Sequence, residues 1–166
     1  GKSLAKIDTG CFFECSNLKY VNSEICINLH SIGVKAFMNN IVLEKFDFPQ
    51  SLKIIGSGAF RNTPALAQAI LPRNLELIGN TAFGWSGITK VFIPNTLVQL
   101  PYGVFRNTQI TEVYIPKEIE FVSQDAFRDC IKLKYKFPQY IINGFNIIGN
   151  NEDPNSRNIP KLVTND

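Results

Sequence analysis

Leu75-Glu76-Leu77-Ile78-Gly79-Asn80-Thr81-Ala82-Phe83, followed by Ile88-Thr89-Lys90-Val91-Phe92-Ile93-Pro94, is the stretch that decides the fold. It reads L-x-x-I-G-x-x-A-F, a short polar step, then L-x-x-V-x-I-P, and the same pattern returns along most of the chain. Phe12, Phe37, Phe60, Phe83, Phe105 and Phe127 recur at intervals of 25, 23, 23, 22 and 22 residues. Pro49, Pro72, Pro94, Pro116 and Pro138 keep the same period. Two residue types sharing one period mark an internal repeat.

A unit of 22 to 25 residues is too short to bury a core of its own. Stacked copies solve this by placing Phe on Phe and Ile on Ile in continuous ladders. The end of each unit alternates as a half-buried strand does. The proline then ends the strand, because it has no N–H to give to a ladder. Glycine after the first Ile is expected to permit a turn that a Cβ would oppose. Asp8, Pro101 and Ser123 replace it in three copies. The roughly fifteen residues between strands carry no 3.6-residue pattern, so turns, 3₁₀ pieces or short extended segments are expected there rather than long helices. Six strands near 18–23, 43–48, 66–71, 88–93, 110–115 and 133–137 are expected in one parallel sheet, in sequence order.

The Ile78-Gly79-x-x-Ala82-Phe83 and Val91-x-Ile93-Pro94 steps, with their equivalents over residues 4–141, resemble the BspA-like, or treponemal-type, leucine-rich repeat. The resemblance implies a leucine-rich-repeat solenoid: right-handed, about six coils of 22–25 residues, with a parallel sheet on one face and little regular helix. It also implies a surface or secreted protein used for adhesion and protein binding. Copy one departs most, with Glu24 where the proline belongs. The solenoid is assigned to residues 1–142. Residues 143–166, rich in Asn, form either a C-terminal cap or an irregular tail. No signal peptide is visible before Leu4, which fits a processed or truncated start.

Composition narrows the function classes. Apolar residues make up 45% and charged residues 19% of the 166 residues, which excludes a disordered chain. A net charge of +3 is not the footprint of a dedicated nucleic-acid binder. No apolar run reaches the length of a membrane span.

The residues with chemical potential fall into repeat columns. The single histidine, His30, sits at a variable position with no nucleophile near it in the pattern, so no catalytic residue is assigned. Cys11 shares the small-residue column with Ala36, Ala59, Ala82, Val104 and Ala126. Cys15 and Cys130 share the column three after Phe, five coils or roughly 24 Å apart at strand spacing, beyond the ~7 Å reach of a disulfide. Buried free thiols are the expectation for the cysteines, with a bridge from Cys26 to Cys11 or Cys15 left open. No metal or cofactor site is assigned. The pairs Glu44 and Asp47, Asp125 and Asp129, and Glu118 and Glu120 are read as solvated charges, since a repeat sheet offers no cleft. Arg61, Arg106 and Arg128 follow the repeat Phe in a sparse basic column.

The strand face is the best candidate surface. If L, V and I point inward, the residues flanking V point outward. These are Tyr20 and Asn22, Lys45 and Asp47, Gln68 and Ile70, Lys90 and Phe92, Glu112 and Tyr114, and Lys134 and Lys136. Ile70, Phe92 and Tyr114 then form an apolar column over three coils, with Gln68, Lys90 and Glu112 beside it. Three readings of that column stand open: a binding site, cross-strand pairs that stabilise the sheet, and a surface covered by another segment. The partner, on the first reading, is a protein or glycan, and neither a nucleic acid nor a membrane. The alternative role for the whole chain is a structural spacer within a larger multidomain protein.

Overall fold

The computed structural model describes residues 3–133. The sixth strand near 133–137, the outward pair Lys134 and Lys136, and the cap or tail at 143–166 lie outside the described residues. Within them the chain is a parallel solenoid of turns and ten short strands, and no helix is present among the described residues.

The strands form two rows. The expected row holds β2 (Tyr20–Asn22), β4 (Lys45–Asp47), β7 (Lys90–Phe92) and β9 (Glu112–Tyr114). β2 pairs with β4 and β7 with β9, all parallel and in sequence order, and Gln68 bridges to Lys90. It is not one continuous sheet, because no strand pairing joins Asp47 to the third coil. The interruption lies where inward Phe46 and Phe48 meet inward Ala69. Both rings lean onto Phe60, with centroids at 4.9 and 5.3 Å, and Phe48 reaches Phe83 at 6.1 Å.

The second row was not expected as strands. It runs through the I-G step as β1 (Lys6–Ile7), β3 (Ser31–Ile32), β5 (Ile54–Ile55), β6 (Leu77–Ile78), β8 (Gln99–Leu100) and β10 (Phe121–Val122). β1, β3, β5 and β6 pair in order, and β8 pairs with β10. The gap between β6 and β8 has a covalent cause. The N–H groups of Gly33, Gly56 and Gly79 donate to Ile7, Ile32 and Ile55 of the preceding coil at 2.8 Å each. Pro101 occupies that position in the fifth coil and has no N–H to donate. The glycine itself serves a different purpose from the one expected. Its φ is not positive; instead a Cβ on Gly56 would lie 2.6 Å from the backbone nitrogen of Val34, and one on Gly79 would strike the backbone of Ser57. The requirement is close approach of two coils.

Inside, the ladders form as the period requires. Leu29, Leu52, Leu75, Ile32, Ile55 and Leu100 are buried, as are Ala36, Ala59, Ala82, Val104 and Ala126. Phe37, Phe60, Phe83 and Phe105 are fully buried, and successive rings from Phe12 to Phe127 stack at 5.0–5.8 Å, within 15° of parallel. Phe12 stacks on Phe37 and is 40% exposed. The same geometry corrects the reading of the cysteines as uniformly buried thiols. Cys26 and Cys130 are buried, but Cys11 is exposed and Cys15 partly so, and all four are free. Burial raises the pKa of the Cys130 thiol, which donates to the Phe105 carbonyl at 3.0 Å.

The corner that carries Phe is the most regular part. The residues two before and two after it adopt left-handed backbone in coil after coil: Gly10, Lys35, Gly58, Thr81 and Gly103 before, and Glu14, Asn39, Asn62, Trp85, Asn107 and Asp129 after. Alternating handedness turns successive N–H groups along the solenoid axis. Thr81, Phe83 and Trp85 thereby donate to Tyr102, Val104 and Arg106 of the next coil at 2.8–2.9 Å, and the earlier corners repeat this. Beneath the corner, Thr63 and Thr108 donate their hydroxyls to the Phe60 and Phe105 carbonyls, whereas Ser86 Oγ in the same column is buried without a partner.

Candidate functional site

On the expected row, every second side chain leaves the core. Val91 is buried while Lys90 and Phe92 on either side of it are exposed. Ile70, Phe92 and Tyr114 are 79%, 62% and 52% exposed. The register aligns Phe92 with Tyr114, and their rings stack at 4.4 Å and 3°. Parallel bridging of Gln68 to Lys90 brings Ile70 alongside Phe92 in the same column. The six residues named from the sequence therefore do converge on one patch, and the high exposure of its apolar column argues against a covering segment among the described residues.

A clasp borders the aromatic pair. Lys90 Nζ lies 3.1 Å from Glu112 Oε2, and the Tyr114 hydroxyl donates to the same oxygen at 3.3 Å. The hydrogen bond and charge of Lys90, aided by Tyr114, hold the Glu112 pKa below its ordinary value. Further along the row, Lys45 pairs with Asp47 at 2.9 Å and the Tyr20 hydroxyl donates to Glu44 at 2.7 Å. The face is thus apolar at its centre and polar at its margin, the anatomy of a protein interface.

Other candidates fare differently. His30 is exposed, and its Nδ1 lies 3.3 Å from the Asn28 carbonyl oxygen. Asp125 and Asp129 are not simply solvated: they pair with Arg128 and Arg106, both at 3.3 Å. Among the described residues no group of three or more His, Cys, Asp or Glu side chains is arranged to hold a metal ion. No helix among them is long and apolar enough to cross a membrane.

The sequence reading missed the exposed face of the second row and, within the basic column it did name, the place of Trp85. The second row exposes Ile54 and Leu77 in register, with Val98 and Phe121 further along. On the corner, two guanidinium groups lie over the Trp85 ring, Arg61 at 4.6 Å and Arg106 at 5.3 Å from its centroid. The signal for that corner was present in the repeat columns, since Trp85 stands where Asn39, Asn62 and Asn107 recur.

Six copies of the BspA type leucine rich repeat region match residues 5–134. The chain belongs to this family. No curated protein matches it significantly. Among solved structures it is similar to a leucine-rich repeat protein from Bacteroides ovatus, with 27% identity over 79% of this chain and 34% of that one, at a TM-score of 0.71. The pneumococcal vaccine antigen PcpA shares the fold at 24% identity and TM-score 0.72, over 87% of this chain and 36% of its own. The T. pallidum leucine rich repeat protein does so at 23% identity and TM-score 0.64, over 78% of this chain and 72% of its own. The BspA-type repeats described here span about a third of the length of the first two proteins.

Proposed function

We propose that these BspA-type repeats form a non-catalytic binding scaffold, displayed on a cell surface or secreted, that takes a protein partner on the strand face. The observation that carries this reading is the outward stack of Phe92 on Tyr114 with Ile70 beside it, bordered by the Lys90–Glu112 clasp. Aromatic anchors at the centre of a polar rim are where interface energy concentrates. A cross-strand aromatic pair also stabilises a sheet, but it needs no 60-percent exposure to do so, and Ile70 gains nothing from standing in water. The surface location rests on the family and on the description of one structural relative as a pneumococcal vaccine antigen. A spacer role within a larger protein is the second reading, favoured by the share of the longer relatives that the repeats span.

The test is a surface-binding screen against extracellular-matrix proteins and glycans, run in parallel on the wild type and Phe92→Ala. Any partner of the strand face is expected to lose about 2 kcal/mol or more of affinity in the variant, the hot-spot threshold. An interaction that survives both Phe92→Ala and Tyr114→Ala unchanged does not use this face. A chain that binds nothing in such a screen favours the spacer.

A further inference from the structure

The corner of the fourth coil departs from its neighbours in a way that packing does not require. The residue two before Phe is Gly10, Gly58 and Gly103 in three coils, and the residue two after it is Asn39, Asn62 and Asn107 in three. Glycine and asparagine are the residues that tolerate left-handed backbone. The fourth coil places Thr81 at φ 52° and Trp85 at φ 58° there instead. A β-branched and a bulky aromatic residue in that region are true outliers, and such strain collects at functional sites.

Charge collects at the same place. Arg61 comes from the coil before and Arg106 from the coil after, and both guanidiniums lie over the Trp85 ring. The arginine column carries Gly84 between them, and the Trp85 ring takes the place of a third side chain. Arg106 is tied to Asp129 and to the Tyr102 hydroxyl. Arg61 has no carboxylate partner among the described residues, and its guanidinium lies over the Trp85 ring. No Asp or Glu occurs in residues 57–62, 80–85 or 102–107, the three corners concerned. A guanidinium stacked on an indole keeps its N–H fork in plane and partly dehydrated, ready for two-point contact with a carboxylate or sulfate.

We propose that Arg61, Trp85 and Arg106 form a binding site for an acidic saccharide, a sugar chain bearing carboxylate or sulfate groups. The surroundings select that class. A peptide adding as a strand needs free backbone donors, and the N–H groups of Thr81, Phe83 and Trp85 are spent on the next coil. A nucleic acid would stack its bases on the indole, and two guanidiniums already lie over that ring. What remains for a ligand is side chains: the Arg61 fork, the exposed amide of Asn107, and the N–H groups of Arg106 not given to Asp129 and Tyr102. Donors and acceptors of that kind match the hydroxyls and anionic groups of an acidic sugar. The site is separate from the strand face and stands or falls apart from it.

Trp85 is the single tryptophan of the chain, so its fluorescence reports on this corner alone. The experiment titrates the whole chain with oligogalacturonate, with heparin-derived oligosaccharide, and with neutral dextran, polyglutamate and a DNA oligonucleotide as comparators. A saturable change in Trp85 emission with one of the two acidic saccharides, and none with dextran, is expected; which one responds tells carboxylate from sulfate. Arg61→Gln is expected to weaken that binding by about tenfold or more, as for a lost hydrogen bond to a charged group, at an unchanged melting temperature. Trp85→Asn, followed by calorimetry, is expected to lose binding and to melt no lower than the wild type, because it restores the residue suited to that backbone. Arg61→Lys, which keeps the charge without the fork, is expected to fall between. The proposal is overturned by three results: no saturable response to either saccharide, an equal or stronger response to polyglutamate or DNA, or undiminished saccharide binding in Arg61→Gln. Trp85→Asn that melts lower but binds as before overturns it too, by giving the indole a structural role.

Discussion

The phenylalanine corner and the strand face belong to the same coils and are held in different ways. At the corner the first four junctions each repeat three backbone hydrogen bonds, ring stacks on ring from coil to coil, and Thr63, Thr108 and Cys130 find carbonyl partners beneath. On the strand face the pairing is broken between the second and third coils, and its apolar side chains stand in water. The comparison teaches where a solenoid keeps its stability. Because the corner and the inward ladders hold the coils in register, outward residues of the strand face are free to vary, and Ile70, Phe92 and Tyr114 are what this chain has put there.

The sharpest way to break that comparison is a pair of phenylalanines nine residues apart. Phe83→Ala removes a fully buried ring from the ladder and is expected to cost about 3–5 kcal/mol in a urea melt, the range for a large buried aromatic. Phe92→Ala removes a ring that meets Tyr114 on an exposed face and is expected to cost about 0.5–1 kcal/mol, the value of a cross-strand pair. Equal losses would erase the distinction between the two regions.

A pair of glycines sharpens it at the level of backbone. Gly79→Ala drives a Cβ into the backbone of Ser57, which has nowhere to go, and is expected to destabilise by about 1–3 kcal/mol as overpacking does. Gly84→Ala meets its nearest atom at 3.4 Å, an ordinary contact, and its φ is not positive. There the loss of chain freedom in the unfolded state dominates, so a gain of about 0.4–1 kcal/mol is expected. Thermal denaturation of both variants checks the sign.

The smallest effect belongs to the clasp. The folded pKa of Glu112 is depressed by Lys90, so its contribution is present above the unfolded value and fades as pH falls through the folded one. Because the group is exposed, the change in stability is slight. The measurable quantity is the Glu112 carboxyl midpoint by NMR, expected below the ordinary glutamate value and restored toward it in Lys90→Gln. An unmoved midpoint would mean that the ion pair is not populated in solution.

Much of this was legible in the chain itself. The period of Phe and Pro placed the inward ladders, and alternation around Val91 and Val113 placed Lys90, Phe92, Glu112 and Tyr114 outward. The I-G row was not legible as strands, because two residues are too few to show alternation. The glycine column was read as a turn requirement when the structure uses it for coil contact, and no single coil contains the atom, such as Val34 N, that a Cβ would strike. Cys11 was read from its column as buried and is exposed, because a column does not record which other coils pack against a given one.

The sequence by itself determined that the chain coils, how long each coil is and which side chains face the core, since a repeated hydrophobic pattern can be buried in only one register. Tertiary structure alone decided where the two strand rows break, that Thr81 and Trp85 lie in left-handed backbone, and that Arg61 and Arg106 close on one indole. Those outcomes depend on which residue of one coil meets which residue of the next, more than twenty positions away, and so on contacts that no local pattern records.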